Sequence, residues 1–403
     1  MKKLNRLAVL LTLILGETLL PADSGRVQPV LNGIDLLRQQ NFEPLAGKRV
    51  GLITNRTGLS ADGTTTVELL FNSRICKLAA LFSPEHGILG TLDEKVGSSV
   101  DVFTGLPVYS LYGDTVRPTS EMLRGIDVLV FDIQDVGARF YTYITTMAYS
   151  MEEAAKAGIP FYVLDRPNPI GGIRVEGPML DADKTSFVGY MPLPVRHGMT
   201  VGELARYFNV ENKIGARLEV IAMRGWRRSY YFWDTGQLWV DPSPNMRSVA
   251  EAIFYPGICL LEGANVSVGR GTQRPFEMVG APWIEPRRFA AALRAKGVDG
   301  VRFVPVSFTP EAGRNQGLRC GGVSLMLTDP EGLNSVLLGL TILSVMHRLY
   351  PEEFDIDSVI GLLGNAEALK RLKAGQAPAE VLRQDEAEMR KFLAKRKRAL
   401  IYD

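Results

Sequence analysis

From about residue 28 to residue 170, short apolar runs alternate with helical segments, and such a chain can bury its runs only in a mostly parallel sheet covered on both faces. The expected strands are Arg49 to Thr54, Lys77 to Phe82, Val108 to Leu111, Val128 to Ile133 and Phe161 to Leu164. The longest helical segment, Thr142 to Ala157, stops at Gly158 with Pro160 beyond it. Farther on, Thr200 can cap a helix with Glu203 at the capping-box position. Leu218 to Met223, Phe303 to Ser307 and Val323 to Leu327 then read as strands of a second α+β unit. Leu333 to Ala399 is mostly helical, and its Lys/Arg-rich end (Lys391, Lys395, Arg396, Lys397, Arg398) reads as a solvated helix terminus. The expected fold class is α/β, with a Rossmann-like, mostly parallel sheet domain over 25–195 and a smaller α+β C-terminal domain over 196–403.

In an open α/β sheet the carboxyl ends of the strands face the ligand crevice, so reactive groups there mark a site. The strand ending at Phe82 runs into Ser83-Pro84-Glu85-His86-Gly87, and the one ending at Ile133 runs into Gln134-Asp135-Val136-Gly137-Ala138-Arg139-Phe140-Tyr141-Thr142-Tyr143. As a general acid, Glu85 needs partial burial, which the Leu81-Phe82 side can supply. The plainer reading is that Glu85 caps the next turn and His86 packs. Asp132 and Asp135 stand three apart across a strand end, and Arg139 can hold one of them ionised. Two acids in unequal environments suit glycosidic bond cleavage, whereas an Asp132–Arg139 ion pair would be structural only.

Asp165, Arg166 and Asn168 end a further strand with groups suited to sugar hydroxyls or an acetamido group, unless they brace their own loop. Arg196 and His197 precede a helix, where a substrate carboxylate would be favoured. Between Trp233 and Trp283 a run rich in Gly, Pro and Trp, including Asn245, Glu262, Asn265, Arg270 and Glu277, reads as binding loops. Its Trp and Tyr faces are stacking surfaces for pyranose rings.

Other classes fit less well. No G-x-G-x-x-G or Walker glycine pattern follows any strand, and the first strand runs instead into Asn55-Arg56-Thr57-Gly58. The three histidines, at 86, 197 and 347, form no H-E-x-x-H pair, so no tightly held metal and no cofactor is expected. No G-x-S-x-G elbow is present. With 46 basic and 44 acidic residues there is no field to favour nucleic acid, which leaves a small molecule as the expected partner. Cys76, Cys259 and Cys320 are too scattered for a disulfide framework and read as buried thiols. Lys2, Lys3 and Arg6 followed by the apolar run Leu7 to Gly16, itself too short to span a bilayer, match a secretory signal over 1–24, with a non-cleaved anchor as the alternative. A secreted or periplasmic protein without stable membrane insertion is expected.

Taken together, Ser83-Pro84-Glu85-His86-Gly87, the Asp132 to Tyr143 stretch, Leu164-Asp165-Arg166-Pro167-Asn168-Pro169, Arg196-His197-Gly198-Met199-Thr200, Pro242-Ser243-Pro244-Asn245 and Gly269-Arg270-Gly271-Thr272 resemble the exo-β-N-acetylmuramidase (NamZ) family. The resemblance runs from about residue 30 to 400 in the same order. It implies hydrolysis of a terminal, non-reducing β-1,4-linked N-acetylmuramic acid from peptidoglycan fragments, in a cleft between the two domains. Carried over by motif, Glu85 is the leading catalytic acid, with Asp132, Asp135, His86 and Glu262 as candidates for the second role. The candidate substrate-binding residues are Asn55, Gln134, Arg139, Tyr141, Tyr143, Asp165, Arg166, Asn168, Arg196, His197, Asn245, Asn265, Arg270 and Glu277. Ala264 departs from the family, where threonine is frequent. The rival reading is a non-catalytic muropeptide-binding or sensor protein.

Overall fold

The computed structural model describes residues 29–91, 97–383 and 386–403 of the chain. The expected N-terminal signal lies outside these residues. In chain order come β1 (Arg49–Thr54), β2 (Lys77–Ser83), β3 (Ser99–Val100), β4 (Pro107–Ser110), β5 (Val128–Asp132) and β6 (Phe161–Leu164). A separate antiparallel pair follows, β7 (Glu176–Met179) with β8 (Pro194–Arg196), and then β9 (Leu218–Ile221). Seven of these strands form one sheet in the order β3-β4-β2-β1-β5-β6-β9, parallel except at β3. The chain builds outward from β1 to β2 and β4, then returns to lay β5 on the other side of β1. That reversal opens a crevice at the carboxyl edge.

The two faces follow the twofold period of the strands. Val50, Leu52, Leu81, Val128 and Val130 pack under Ile34 and Leu37 of α1 (Gly33–Gln39) and Leu70 of α2 (Thr66–Phe71). Ile53, Phe82, Leu129 and Phe131 pack on the other face against Met147 and Met151 of α3 (Tyr143–Ala157) and Leu204 and Phe208 of α4 (Val201–Glu211). Each such fully buried side chain contributes roughly 1.5–3 kcal/mol. Helix α3 ends at Gly158 in the left-handed conformation, and Thr200 and Glu203 close the expected capping box on α4.

One strand is placed differently from the sequence expectation. Leu218–Ile221 pairs in parallel with β6 as the last strand of the large sheet, not with the second unit. Helix α4 is the crossover that makes this pairing possible, and the added strand covers the open edge of β6. The second unit contains α5 (Val249–Ile258), β10 (Met278–Ala281), α6 (Pro286–Arg294), β11 (Val301–Phe308), β12 (Cys320–Leu327) and α7 (Ser335–Leu349). Its three strands are antiparallel in the order β10-β12-β11. Helices α5 and α7 touch backbone to backbone: a Cβ on Gly257 would stand 1.8 Å from the Ser335 carbonyl oxygen, and one on Gly339 2.2 Å from the Gly257 oxygen. The hydrophobic core is continuous from the large sheet into this unit.

The basic last helix, Glu386–Ala399, is not wholly solvated. Arg396 is buried and donates to the carbonyls of Gly172 and Gly198, while Lys395 and Arg398 reach Glu211 on α4. Beyond it, Tyr402 donates its hydroxyl to Asp165 Oδ2 at 2.6 Å.

Candidate active site

A cavity of about 250 Å³ lies where the carboxyl edge of the sheet meets the second unit. The turn after β2 brings Glu85 and His86 to it, and the start of α3 brings Phe140, Tyr141 and Thr142. The opposite wall carries Tyr255 and Cys259 from the end of α5, then Glu262 and Arg270. Ser243, Asn245 and Phe276 complete the polar and aromatic lining.

The Glu85 turn is held under backbone strain. His86 has φ +70°, in the left-handed region that side chains with a Cβ seldom adopt, and Gly87 follows at φ +74°. Phe276, on the far wall, is also left-handed at φ +58°. Strained residues of this kind gather at sites where geometry has been fixed for a task. Glu85 Oε2 accepts the Thr142 hydroxyl at 2.5 Å, which leaves Oε1 available to carry a proton. The Tyr143 hydroxyl donates to the Pro242 carbonyl and lies 3.5 Å from the Glu85 carbonyl, so it ties the acid's turn to the Pro242-Ser243 segment.

Glu262 has a contrasting environment. Arg270 donates to Oε1, and the Cys259 thiol donates to Oε2 at 3.4 Å. Burial, and then the Glu262 charge, push the Cys259 thiol up, so it stays a donor. The two acids are therefore in unequal environments, one beside a neutral hydroxyl and the other beside a guanidinium. That difference is what sets a proton donor apart from a charge-stabilising or base carboxylate.

The expected run supplies this aromatic wall through Tyr255 and Phe276 and not through its tryptophans. Tyr255 packs edge-on against Phe140, Tyr141 and Phe276 with ring centroids 5.3, 5.7 and 4.8 Å away. Trp239 instead packs on Phe232, Trp283 packs on Tyr350 and Phe354, and Trp233 is exposed and stacks on Tyr231, so the run lines the cavity with residues other than its tryptophans. Part of that run is regular structure, namely α5 and β10.

Several candidate residues hold the scaffold together behind the cavity. Asp132 is fully buried, takes two hydrogen bonds from Arg166 at 2.5 and 3.0 Å and accepts Thr66, so its partner is Arg166 and not Arg139. Arg139 donates to the backbone carbonyls of Pro178, Leu193, Leu362 and Leu363, and burial pushes its guanidinium down to about 9. Arg196 pairs with Glu176 at 3.0 Å, which removes it as a cation for a substrate carboxylate. Asp165 accepts Thr200, Gly202 and Tyr402, and Asn168 bridges Met199 and Ile170. Gln134 donates to the carbonyls of Asp135 and Pro167, and Asn55 accepts Thr57. Asn265 is bound to the backbone of Glu353 and Asp355, and Glu277 to Arg274. A charge buried at a strand end must be paired, and these residues pair with one another or with carbonyls.

Asp135 and His197 form a buried pair just beneath the wall. His197 Nδ1 accepts the Met199 N–H, and its Nε2 stands 3.7 Å from Asp135 Oδ2. Burial pushes Asp135 up to about 7. Burial, with Arg396 and Arg196 nearby, pushes His197 down to about 3.

Thr142, Tyr255, Cys259 and Phe276 were not among the sequence candidates. Thr142 carried a signal as the first residue of a helix beside a strand-end acid, Tyr255 lies within the run expected to form binding loops, and Cys259 was expected only as a buried thiol. Among the described residues, no three His, Cys, Asp or Glu side chains converge to hold a metal ion, and no helix is long and apolar enough to cross a membrane.

The fold and cavity define a two-part α/β protein with a polar, acid-bearing pocket at the junction of its parts. Models of the exo-β-N-acetylmuramidase NamZ N-terminal and C-terminal regions match residues 50–250 and 253–402. The chain belongs to the exo-β-N-acetylmuramidase NamZ family. It is 46% identical over 378 residues to the peptidoglycan β-N-acetylmuramidase NamZ of Bacillus subtilis (strain 168), covering 93% of this chain and 91% of that protein. Crystal structures of two DUF1343 family proteins from Bacteroides fragilis are similar as well. One is 35% identical with a TM-score of 0.86, covering 94% of this chain and all of that one (100%). The other is 30% identical with a TM-score of 0.77, covering 93% and 99%.

Proposed function

We propose that this protein is an exo-acting glycoside hydrolase that releases terminal, non-reducing β-1,4-linked N-acetylmuramic acid from peptidoglycan fragments. The observation that carries the mechanism is the placement of Glu85 and Glu262 on one small cavity in unequal environments. Glu85, with Oε1 uncommitted, protonates the glycosidic oxygen as the bond to the anomeric carbon breaks. Glu262, in contact with Arg270 and Cys259, faces the oxocarbenium-like centre and stabilises it or activates the incoming water. Asn245, Ser243 and the Tyr255-centred wall supply amide, hydroxyl and aromatic contacts for an acetamido sugar. A cavity of about 250 Å³ suits one chain-terminal residue better than a stretch of polymer, in keeping with exo action.

The basic start and apolar run at the N-terminus support export, which would bring the enzyme to its substrate in the periplasm or outside the cell. Incubating the purified protein with a muramyl-β-1,4-glucosamine disaccharide should release free N-acetylmuramic acid. Binding of the disaccharide without release would overturn the hydrolase and leave a muropeptide-binding protein.

A further inference from the structure

With Glu85 as the acid, the leaving saccharide has a direction. The acid protonates the glycosidic oxygen, so the departing sugar lies on the Glu85 side of the cavity. Three separate features of the chain place aromatic side chains there.

Strands β2 and β4 are parallel neighbours with Ser83 opposite Ser110, and the Leu111 N–H donates to the Ser83 carbonyl at 2.8 Å. Glu85 and Tyr112 each stand two residues beyond that pair, so they leave the sheet edge at the same level. On α3, Thr142 and Tyr149 are two turns apart, which puts them on one face about 10 Å from each other along the axis. They are also the two positions from 142 to 150 that are not buried, and Thr142 is the residue that binds Glu85. Val188 lines the cavity itself, and Phe187 precedes it.

These positions meet in one cluster. Phe187 stacks on Tyr112 with ring centroids 5.8 Å apart and an interplanar angle of 26°, and it lies 6.3 Å from the Tyr149 ring. The far end is braced. Arg117 sits 3.7 Å over Tyr149 and donates to Glu152 and Glu153, while Tyr190 packs edge-on against Tyr149 and donates to Glu152. Tyr112, Tyr149 and Phe187 are each only partly buried. A rigid, part-exposed aromatic shelf beside a sugar-cleaving site offers a surface on which the apolar face of a pyranose can rest.

We propose that Tyr112 and Phe187 form the subsite for the sugar ring on the leaving side of the scissile bond. The proposal rests on the hydrolase reading above and adds a determinant for the residue to which the muramic acid is attached. The cavity between Glu85 and Glu262 holds the terminal ring, and the Tyr112–Phe187 shelf holds the next ring while its oxygen takes the proton from Glu85.

The test is steady-state kinetics of the full-length enzyme on two substrates, the muramyl-β-1,4-glucosamine disaccharide and β-muramyl fluoride, whose leaving group is a single atom. Phe187→Ala and Tyr112→Ala should raise KM for the disaccharide about tenfold with little change in kcat, because stacking holds the ground state and the transition state alike. The fluoride has no second ring to stack, so its kcat/KM should fall by less than about twofold, which also shows that the variants fold. Phe187→Trp, which keeps a ring at the position, should recover most of the disaccharide KM. Equal losses on both substrates, or no loss on the disaccharide, would overturn the proposal and leave the hydrolase standing. A wild-type enzyme that turned over neither substrate would overturn the hydrolase reading and the proposal with it.

Discussion

Thr142 gives its hydroxyl to Glu85 instead of to its own helix. At the N-cap of α3 a threonine oxygen ordinarily accepts an N–H of the first turn, but here the side chain makes no cap bond and donates to Glu85 Oε2. The helix gives up about 1 kcal/mol of capping to position one carboxyl. Glu85→Gln should leave disaccharide binding intact while turnover falls at least about a hundredfold. Thr142→Val should cost activity by a smaller factor, about tenfold, and Thr142→Ser should restore most of it. If Thr142→Val behaved as wild type in kcat, the contact would have no bearing on the acid.

Glu262, Arg270 and Cys259 act as one unit. Glu262→Gln should lower kcat/KM by about a hundredfold or more, whereas Arg270→Ala acts partly through Glu262. The Glu262→Gln/Arg270→Ala double variant should therefore be less impaired than the product of the single losses. Fully multiplicative losses in a kinetic double-mutant cycle would show that the ion pair does not set the state of Glu262.

Asp135 makes stability depend on pH in a direction that can be worked out. Burial raises its carboxyl from an ordinary 3.8 to about 7, so between those values the folded protein holds a proton that the unfolded chain has lost. Stability then falls as pH rises through this window. His197, lowered from 6.5 to about 3, gives the opposite slope over its own window and is present in both proteins compared. Asp135→Asn keeps an oxygen for the Gly137 N–H and has no proton to lose. In urea melts it should gain on wild type steadily from about pH 4 to about pH 7, and parallel curves would contradict the buried, raised carboxyl.

Tyr402 reaches back across the molecule to Asp165, a carboxylate with no exposed surface that also serves Thr200 and Gly202 at the start of α4. Tyr402→Phe should lower stability by about 1–2 kcal/mol, read as a shift in denaturation midpoint. Activity per folded molecule should hold, since neither residue lines the cavity. A variant as stable as wild type would mean that water replaces the phenol.

The large sheet was legible because its signals are local. Apolar runs, the Gly158 stop and the Thr200–Glu203 box each depend on a few neighbouring residues, and each sits where it was expected. Leu218–Ile221 was misplaced because its partner, β6, is distant in sequence, and only the α4 crossover decides which sheet it joins. The site was half legible for a related reason. Sequence shows that Asp132, Asp165, Arg166 and Arg139 stand at or just beyond strand ends, but whether each points toward solvent or into the scaffold depends on the partner it meets there. Asp132 meets Arg166, Arg139 meets four carbonyls, and both are thereby withdrawn from the pocket. Tyr255 and Cys259 come from a segment expected as loop that is in fact helix α5, and its seating on α7 brings its last turn to the cavity.

That seating has a mechanical consequence. With the Ser335 carbonyl against Gly257 and the Gly257 carbonyl against Gly339, α5 cannot slide along α7 without a backbone collision. The wall bearing Glu262 is in effect a fixed anvil against which a saccharide end is seated. Hydrogen exchange should therefore be slow through residues 249–258 and 335–349, with or without bound sugar.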